Sequence, residues 1–213
     1  MTTDDLINAL ARDLRPVSPG ALGRLLALAL APGLVLSAAL IFFAHGLRPD
    51  LSTALHLPAF WVKSFYPLLL ALTGIGALMI VARPGGVPRS CGIAALIIYL
   101  ILVALGLWQL HASPASDYPA LIFGISSWFC PIIILGAALP VFAANIWFLR
   151  RAAPTHLRLA GFVAGITAGA VGAWTYSWGC IENGLPFVAL WYTLGIVLCG
   201  ILGASTSRSL LRW

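Results

Sequence analysis

Residues 121–151 read LIFGISSWFCPIIILGAALPVFAANIWFLRR, a stretch in which no charged side chain occurs before Arg150. A helix rises about 1.5 Å per residue, so about 20 apolar residues cross the roughly 30 Å hydrocarbon layer of a bilayer. Five other stretches share this character. The six together are residues 22–44, 62–82, 91–110, 121–149, 157–176 and 187–205. They predict an all-α integral membrane bundle of six transmembrane helices.

The composition agrees with a bilayer environment and excludes several classes of protein. Apolar residues make up 61% of the chain and charged residues only 8%, which is far from the balance of a soluble domain. The predicted loops are too short to hold a catalytic or receptor domain. The sequence has no HExxH motif, phosphate-binding loop or CxxC pair, so we predict that the protein is not an enzyme and requires no cofactor.

Basic residues predict the orientation. If each span crosses once, ten of the twelve Lys and Arg residues fall on one side of the membrane. These ten are Arg12, Arg15, Arg24, Arg83, Arg89, Arg150, Arg151, Arg158, Arg208 and Arg212. Only Arg48 and Lys63 fall on the opposite side. The positive-inside rule then places both termini in the cytoplasm, and the net charge of +6 reflects topology and not a surface for nucleic acid.

The N-terminus is interpreted as a cytoplasmic segment, residues 1–20, ahead of a transmembrane domain of residues 21–213. A cleaved signal peptide would begin with a basic region, whereas Asp4, Asp5 and Asp13 occur here, and its apolar run would be shorter. We therefore expect the first apolar stretch to remain in place as an anchor.

A short amphipathic helix is predicted inside this segment. Thr3 is suited to cap its start and Pro16 to end it. Its apolar stripe consists of Leu6, Ile7, Leu10 and Leu14. Because three turns are too short to be stable alone, the stripe needs a surface to pack against. One reading lays the helix on the membrane or the bundle, but its acidic character disfavours anionic lipid, and a groove on a protein partner fits better.

Two of the four cysteines reach the same depth. Cys130 precedes Arg150 by 20 residues and Cys180 follows Arg158 by 22 residues, and each interval is roughly 30 Å of helix. Both thiols are therefore predicted at the outer boundary, in an oxidising compartment. A disulfide forms there if the two Cα atoms come within about 7 Å. A soft-metal site and two inert thiols are the alternatives.

Residues near these cysteines favour reactive thiols. Pro131 predicts that Cys130 occupies the N-cap of the fourth span, with the proline in the first turn. A helix N-terminus favours the thiolate form of a cysteine. His111 and Glu182 are candidate secondary ligands for a metal held by Cys130 and Cys180.

Small residues recur at intervals of four in the fifth span. They are Gly161, Gly165, Gly169 and Ala173. This pattern lets another helix approach closely, and it predicts either packing within the bundle or a homodimer through the glycines.

Four short features occur in order along the chain. They are Thr3-Asp4-Asp5-Leu6-Ile7 with Leu10 and Leu14, Leu47-Arg48-Pro49-Asp50-Leu51 after the first span, one cysteine in each of the second and third outer segments, and Ala189-Leu190-Trp191-Tyr192 opening the last span. In this order, and with six spans, the chain resembles the NrsF-type membrane anti-sigma factors, negative regulators of extracytoplasmic-function sigma factors. The resemblance runs over nearly the whole chain.

The resemblance implies a protein of the cytoplasmic membrane of a Gram-negative bacterium. Such a protein holds a sigma factor inactive and releases it upon heavy-metal or oxidative stress. In that family the cysteines that match Cys130 and Cys180 are associated with the response, so a transient heavy-metal ion or a Cys130–Cys180 disulfide would carry the signal. The implied partners are the sigma factor and the lipid bilayer. From amphipathicity, the residues expected to contact the sigma factor are Asp5, Leu6, Ile7, Leu10 and Leu14.

Two other classes stay open from the residues alone. A transporter of a small solute or metal would also be a compact bundle of spans, although no polar cluster at mid-membrane indicates a pathway. A structural subunit would bind another membrane protein through the glycine seam instead of a cytosolic partner.

Overall fold

The computed structural model describes residues 3, 5 and 20–211, and within 20–211 the chain forms a bundle of six long helices joined by short loops. The long helices are α1 (Ala21–Ala44), α3 (Pro58–Val81), α4 (Arg89–His111), α6 (Phe129–Leu149), α7 (Leu157–Ser177) and α8 (Leu185–Leu210). Two short helices, α2 (Leu51–Ala54) and α5 (Tyr118–Phe123), lie in the loops. No strand occurs in the described residues. The prediction of an all-α bundle with six membrane-length helices is confirmed.

The bundle has two ends, because successive long helices run in opposite directions. The cysteine end consists of residues 45–57, 112–128 and 178–184, together with the helix ends that these loops join. The arginine end consists of residues 82–88 and 150–156, the start of α1, the end of α8 and the helix ends beside them. Side-chain hydrogen bonds join neighbouring segments at each end. At the cysteine end Gln109 accepts one of 2.7 Å from the Leu185 amide, and at the arginine end Thr155 accepts one of 3.0 Å from the Gly85 amide.

Helix α7 is the centre of the bundle. It packs against α8, α6, α3 and α1, and it has the largest buried share of the six spans. Helix α4 is the most exposed span. Large apolar side chains such as Leu96, Leu100 and Leu107 point outward from α4. Six helices of this length and composition suit a multi-pass membrane protein, whose outer surface faces lipid instead of water.

The glycine seam of α7 is filled by α8 of the same chain. A Cβ atom added at Gly169 would lie 2.9 Å from the Cβ of Cys199, and one at Gly161 would meet the Gly203 carbonyl. The seam therefore packs α7 against α8 within the bundle, which is one of the two predictions. The other prediction, a homodimer through Gly161, Gly165 and Gly169, is corrected, because α8 already covers this surface.

The predicted start of the fourth span at Leu121 is wrong. Helix α5 ends at Phe123, and its C-cap Gly124 has a φ of 52°, in the left-handed region. Turns follow until α6 begins at Phe129. The stretch between the two helices has no charge, so composition gave no sign of this break. The predicted N-cap position of Cys130 is wrong for the same reason, because Trp128 is the N-cap of α6 and Cys130 is the second residue of the helix.

The other boundaries lie within a few residues of those predicted. The largest differences are at α3, which starts at Pro58 and so includes one more turn, and at α8, which continues to Leu210. A proline at the first position of a helix loses no hydrogen bond, since the first amides have no intrahelical partner. This explains the early start of α3.

Replacing Gly165 by leucine is expected to destabilise the protein, because a side chain there would meet the Cys199 carbonyl of α8. Overpacking of a tight interface typically costs about 1–3 kcal/mol, so the thermal midpoint in detergent should fall. Gly136→Leu is the matched control, since no atom lies within 4 Å of a Cβ added at Gly136. Equal midpoints for the two variants would show that the seam does not hold α7 to α8.

Candidate functional site

Cys130 and Cys180 lie in one buried cluster at the cysteine end. Their exposed fractions are 0% and 2%, both are free thiols, and both belong to one buried core. Cys130 is held in the first turn of α6, where its amide donates to the Ser126 carbonyl at 2.9 Å. The Cys180 amide donates to the Tyr176 carbonyl at 3.0 Å, which ends α7. Sequence depth thus correctly placed both cysteines at one end.

Lys63 holds the segment that carries Cys180. It is the only lysine in the chain, and its side chain is fully buried. Its ammonium group donates to the Cys180 carbonyl at 2.7 Å and to the Glu182 carbonyl at 2.8 Å. A buried charge is strongly unfavourable unless hydrogen bonds replace its water, so these two bonds explain why a lysine is tolerated in α3 and why residues 180–182 fold over it.

Glu182 connects the same segment to the turn ahead of Cys130. One oxygen of its carboxylate accepts hydrogen bonds from the Ile125 amide at 2.7 Å, the Ser126 amide at 3.3 Å and the Ser126 hydroxyl at 3.2 Å. Several donors on one carboxylate oxygen satisfy a charge that is partly removed from water. Through Glu182, the two cysteine-bearing segments are fastened to each other.

Arg48 adds a third attachment to this end. Its guanidinium forms two 2.8 Å bonds to the Asp50 carboxylate and one of 3.1 Å to the Asn183 side chain. Its amide donates to the Trp178 carbonyl at 3.2 Å. The hydrogen bond from Arg48 holds the pKa of the Asp50 carboxyl below its usual value, and the same bond raises the pKa of Arg48. The loop after α1 is thereby joined to the loop after α7.

These contacts explain the two basic residues on the predicted outer side. Among the described residues, seven arginines lie at the arginine end, and Arg48 and Lys63 at the cysteine end are both buried in hydrogen bonds. The seven are Arg24, Arg83, Arg89, Arg150, Arg151, Arg158 and Arg208. Arg48 and Lys63, the two exceptions to the charge pattern, therefore hold segments of the cysteine end together by buried hydrogen bonds. Sequence reasoning singled out both residues as exceptions but assigned neither to the site.

The predicted secondary ligands are placed differently from each other. His111 is exposed at the end of α4, and the Glu182 carboxylate is occupied by the bonds to Ile125 and Ser126. In the part of the chain that the structure describes, no group of three or more His, Cys, Asp or Glu side chains is arranged to hold a metal ion. A site at Cys130 and Cys180 would thus have two thiolates as its ligands, which suits only a soft ion.

The predicted sigma-binding helix falls mostly outside the described residues. Asp5 is helical and exposed, as is Thr3. Leu6, Ile7, Leu10 and Leu14 lie outside the described residues, and so does most of the predicted segment 1–20. Their role and the boundary at residue 20 stay predictions.

Comparison with known proteins identifies the family. The family described as "Negative regulator of sigma F", NrsF, matches residues 10–213. A protein of Caulobacter vibrioides named anti-sigma-F factor NrsF is 40% identical over 216 residues, which cover the full length of both chains. The chain belongs to the NrsF family. A second NrsF relative, a probable anti-sigma-F factor of Azospira oryzae, is 36% identical over 222 residues, again over the full length of both chains. No solved structure matches this chain.

Family membership confirms the resemblance found in the sequence. The chain is thus a member of a family of negative regulators of a sigma factor, which is a regulatory class and not a catalytic one. In this NrsF chain, within residues 20–211, Cys130 and Cys180 lie in one buried core at the same end of the bundle, and the buried Lys63 binds the backbone of the segment that carries Cys180. We therefore treat this cluster as the candidate functional site.

Lys63→Met is expected to loosen the cysteine end. The methionine keeps most of the side-chain volume but leaves the buried carbonyls of Cys180 and Glu182 without their donor, a loss of about 1–3 kcal/mol for each unsatisfied group. The thermal midpoint should fall, and Cys180 should react faster with a thiol reagent than in the parent protein. Arg83→Met, which removes an exposed charge just beyond the other end of α3, should change neither quantity. A stable Lys63→Met protein with an unreactive Cys180 would contradict this assignment.

The Arg48–Asp50 pair predicts a pH dependence in acid. Because the folded pKa of Asp50 is depressed, the pair contributes fully above the unfolded value of about 3.9 and its contribution is lost as the pH falls through the lower folded pKa. The difference in thermal midpoint between the parent and Asp50→Asn should be constant near neutral pH and shrink below about pH 4. Asp117→Asn, in another loop of the same end, is the control, and its difference should stay small throughout. If the difference in thermal midpoint between the parent and Asp50→Asn grows as the pH falls, the predicted direction of the pH dependence is wrong.

Proposed function

We propose that this protein is an anti-sigma factor of the bacterial cytoplasmic membrane that sequesters an extracytoplasmic-function sigma factor and releases it when Cys130 and Cys180 react. The observation that carries the proposal is the pair of buried thiols fastened into one cluster at the end of the bundle opposite the arginines. Family membership supplies the regulatory class, and this cluster supplies a place where a chemical signal could act.

The arginine end is assigned to the cytoplasm. Seven arginines gather there among the described residues, and the positive-inside rule favours that side. Both termini are then cytoplasmic, because α1 starts and α8 ends at the arginine end. The cysteine end is correspondingly assigned to the periplasmic side, where oxidation of thiols is permitted.

Two chemical signals fit two neighbouring thiols. A soft metal ion would bind both sulfurs as thiolates, with release of two protons to solvent. An oxidant of the peroxide class would take two electrons and two protons from the pair. In that reaction an S–S bond forms, the O–O bond breaks and two molecules of water leave when the oxidant is hydrogen peroxide. Either reaction draws the start of α6 and the end of α7 together.

Helices α6 and α7 provide the route to the cytoplasm. Both helices extend between the cysteine end and the arginine end, and residues 150–156 join them at the arginine end. Helix α7 is also in backbone contact range of α8 along the glycine seam, so α7 cannot shift without displacing α8. A coupling of about 1–3 kcal/mol between the two ends would change sigma affinity by roughly 5–150-fold.

The sigma factor is proposed to bind the N-terminal segment. The apolar stripe Leu6, Ile7, Leu10 and Leu14, with Asp5 beside it, has the i, i+4 spacing of a helix that enters a groove. The segment precedes α1, which starts at the arginine end. A shift of α6 and α7 would thus act close to the bound partner.

The binding half of the proposal is tested by capture of the cognate extracytoplasmic-function sigma factor on the detergent-solubilised protein. Leu6→Asp or Leu10→Asp should abolish capture, because a charge on the stripe cannot be buried against the partner. Asn8→Asp adds the same charge off the stripe and should retain capture. Unaltered capture by the stripe variants would refute this mode of binding.

The release half is tested on the same complex with cadmium ion or hydrogen peroxide. The parent protein should release the sigma factor, and the double variant Cys130→Ser, Cys180→Ser should retain it. The matched control is Cys91→Ser with Cys199→Ser, which should release like the parent. Release of the sigma factor by the Cys130→Ser, Cys180→Ser variant would refute the thiol mechanism but not the anti-sigma role.

Transport is less well supported than regulation. The cleft between α3, α4 and α7, of about 400 Å³, is lined mostly by apolar side chains and glycines, and its charged lining residue is Arg89 at the arginine end. A pathway for a solute or metal would be expected to carry polar or ionisable groups through the middle of the bundle.

A further inference from the structure

The cleft between α3, α4 and α7 opens on the outer surface of the bundle near the arginine end. It exists because α4 packs on α3 and on the start of α8 but hardly on α7. At its floor α3 and α7 are close, since a Cβ added at Gly74 would meet the Thr167 side chain. On its α4 wall Gly92 leaves open space, since no atom lies within 4 Å of a Cβ added there. The cleft is therefore a groove on the side of the bundle and not a hole through it.

The cleft extends over the depth of about one membrane leaflet. Its lining residues lie within 70–77 of α3, 89–95 of α4 and 159–166 of α7. Because α3 ends at Val81, Leu70 lies 11 residues from that end, which is about 16 Å of helix. Half of the roughly 30 Å hydrocarbon layer is about 15 Å. A lipid chain of the leaflet at the arginine end thus reaches the whole length of the cleft.

A basic pocket adjoins the cleft at the arginine end. The cleft and the pocket share two lining residues, Val87 and Leu159. Arg89, two residues after Val87, lines the cleft, and both Arg158 and Arg208 line the pocket. The pocket is otherwise lined by Thr155, His156 and Leu157. An apolar cleft therefore opens into a polar pocket, and three exposed arginines lie where the two meet.

Within residues 20–211, no carboxylate neutralises these arginines. The acidic residues of that range are Asp50, Asp117 and Glu182, and all three lie at the cysteine end. Clustered positive charge in a cleft with apolar walls concentrates anions. An anionic group is therefore the complementary ligand for the mouth of the cleft.

Other grooves of the bundle differ from this cleft. Three apolar grooves of about 250, 330 and 210 Å³ lie between α3 and α4, between α1 and α6, and between α4 and α8. In the described part of the chain, none of these three grooves is lined by a charged residue. Of the four grooves, the cleft beside Arg89 is thus the one that combines apolar walls with positive charge.

We propose that the cleft and the basic pocket together bind one anionic phospholipid of the surrounding membrane. One acyl chain lies in the cleft, and the phosphate lies against Arg89, Arg158 and Arg208. Basic pockets between membrane helices suit anionic headgroups, and arginine suits phosphate because its guanidinium donates two parallel hydrogen bonds. The inference goes beyond the proposed function and depends on neither the thiols nor the sigma factor.

The N-terminal segment is a less suitable occupant of the cleft. Its acidic residues, Asp4, Asp5 and Asp13, would also complement the arginines. However, a helix is about 10–12 Å across with its side chains, and three turns of it occupy about 1,500 Å³. The cleft encloses about 400 Å³, which lies within the roughly 300–1,000 Å³ of small-molecule sites. A single acyl chain therefore fits the cleft better than a helix does.

The test is native mass spectrometry of the full-length protein in a neutral detergent. Dioleoyl phosphatidylglycerol is the anionic probe, dioleoyl phosphatidylcholine has the same chains without net charge, and glycerol 3-phosphate has the phosphate without chains. The parent protein should bind one phosphatidylglycerol at least tenfold more tightly than phosphatidylcholine, because basic residues attract the anionic headgroup. Glycerol 3-phosphate should not bind in the same concentration range. Equal affinity for the two lipids would overturn the inference, and so would equal affinity for phosphatidylglycerol and glycerol 3-phosphate.

Arg89→Gln with Arg158→Gln should weaken binding of phosphatidylglycerol about 30-fold, since each basic residue near an anionic lipid contributes about 1 kcal/mol. Binding of phosphatidylcholine should change little. The matched control is Arg24→Gln with Arg151→Gln, which removes the same charge from the same end. Neither control residue lines the cleft or the pocket, so the control should bind like the parent. An equal loss in both double variants would indicate a general effect of net charge and would overturn the site.

Gly92→Phe should weaken binding of both lipids at least tenfold, because the ring would occupy the open α4 wall of the cleft. Gly136→Phe is the matched control, since a Cβ added at Gly136 on α6 also has no atom within 4 Å, and it should bind like the parent. If Gly92→Phe fails to fold, Ala95→Phe places the ring on the same wall and decides the question. Unchanged lipid binding by the folded variant would show that no acyl chain lies in the cleft.

Occupation of the cleft by the N-terminal segment would give a different result. Phosphatidylglycerol would then bind the parent weakly and would bind tightly only after Leu6→Asp with Leu10→Asp disrupts the apolar stripe. That result would overturn the lipid assignment. Failure of the lipid site leaves the proposed function untouched, because capture and release of the sigma factor are measured separately.

Discussion

The cysteine end depends on one buried cation. The Lys63 side chain is fully buried, so its ammonium group either keeps its bonds to the Cys180 and Glu182 carbonyls or loses its proton, because an unpaired buried charge is strongly unfavourable. That constraint fixes the path of the chain after α7. Once residues 180–182 are fixed, the Glu182 carboxylate reaches the turn at Ile125 and Ser126, and this turn leads into α6 at Cys130. The position of the Cys130 thiol relative to the Cys180 thiol therefore depends on Lys63.

The proposed sensor is buried, which distinguishes it physically from an exposed pair of thiols. Neither Cys130 nor Cys180 presents its thiol at the surface, so in the proposed mechanism a metal ion or oxidant gains access only when the loop opens locally. Such opening has its own free energy, which is smaller than that of global unfolding. The bonds of Lys63, Arg48 and Glu182 set that energy, and they therefore set how often the thiols become reachable. In the proposed mechanism, this closure contributes to selectivity against harmless solutes together with the sulfur atoms.

The sequence predicted the overall plan because the bilayer constrains it strongly. Long apolar runs and the placement of arginines were sufficient for six helices and two distinct ends, and counting residues from Arg150 and Arg158 was sufficient for the depth of the cysteines. The break at Gly124 escaped prediction, since an uncharged loop inside a protein reads like a span. The glycine seam was visible, but its period of four gives no information on which helix fills it. The roles of Lys63 and Glu182 depend on contacts between residues more than 50 positions apart, and no local pattern encodes them.

The isolation of Lys63 also has a practical side. Because it is the only lysine among 213 residues, the chain has a single side-chain primary amine, and that amine is enclosed in the bundle. In the closed protein that amine is shielded from an acylating reagent. Any condition that opens the cysteine end uncovers it beside the Cys180 carbonyl that it binds. The protein thus contains a natural acylation reporter for the opening of its own loop, with no introduced label.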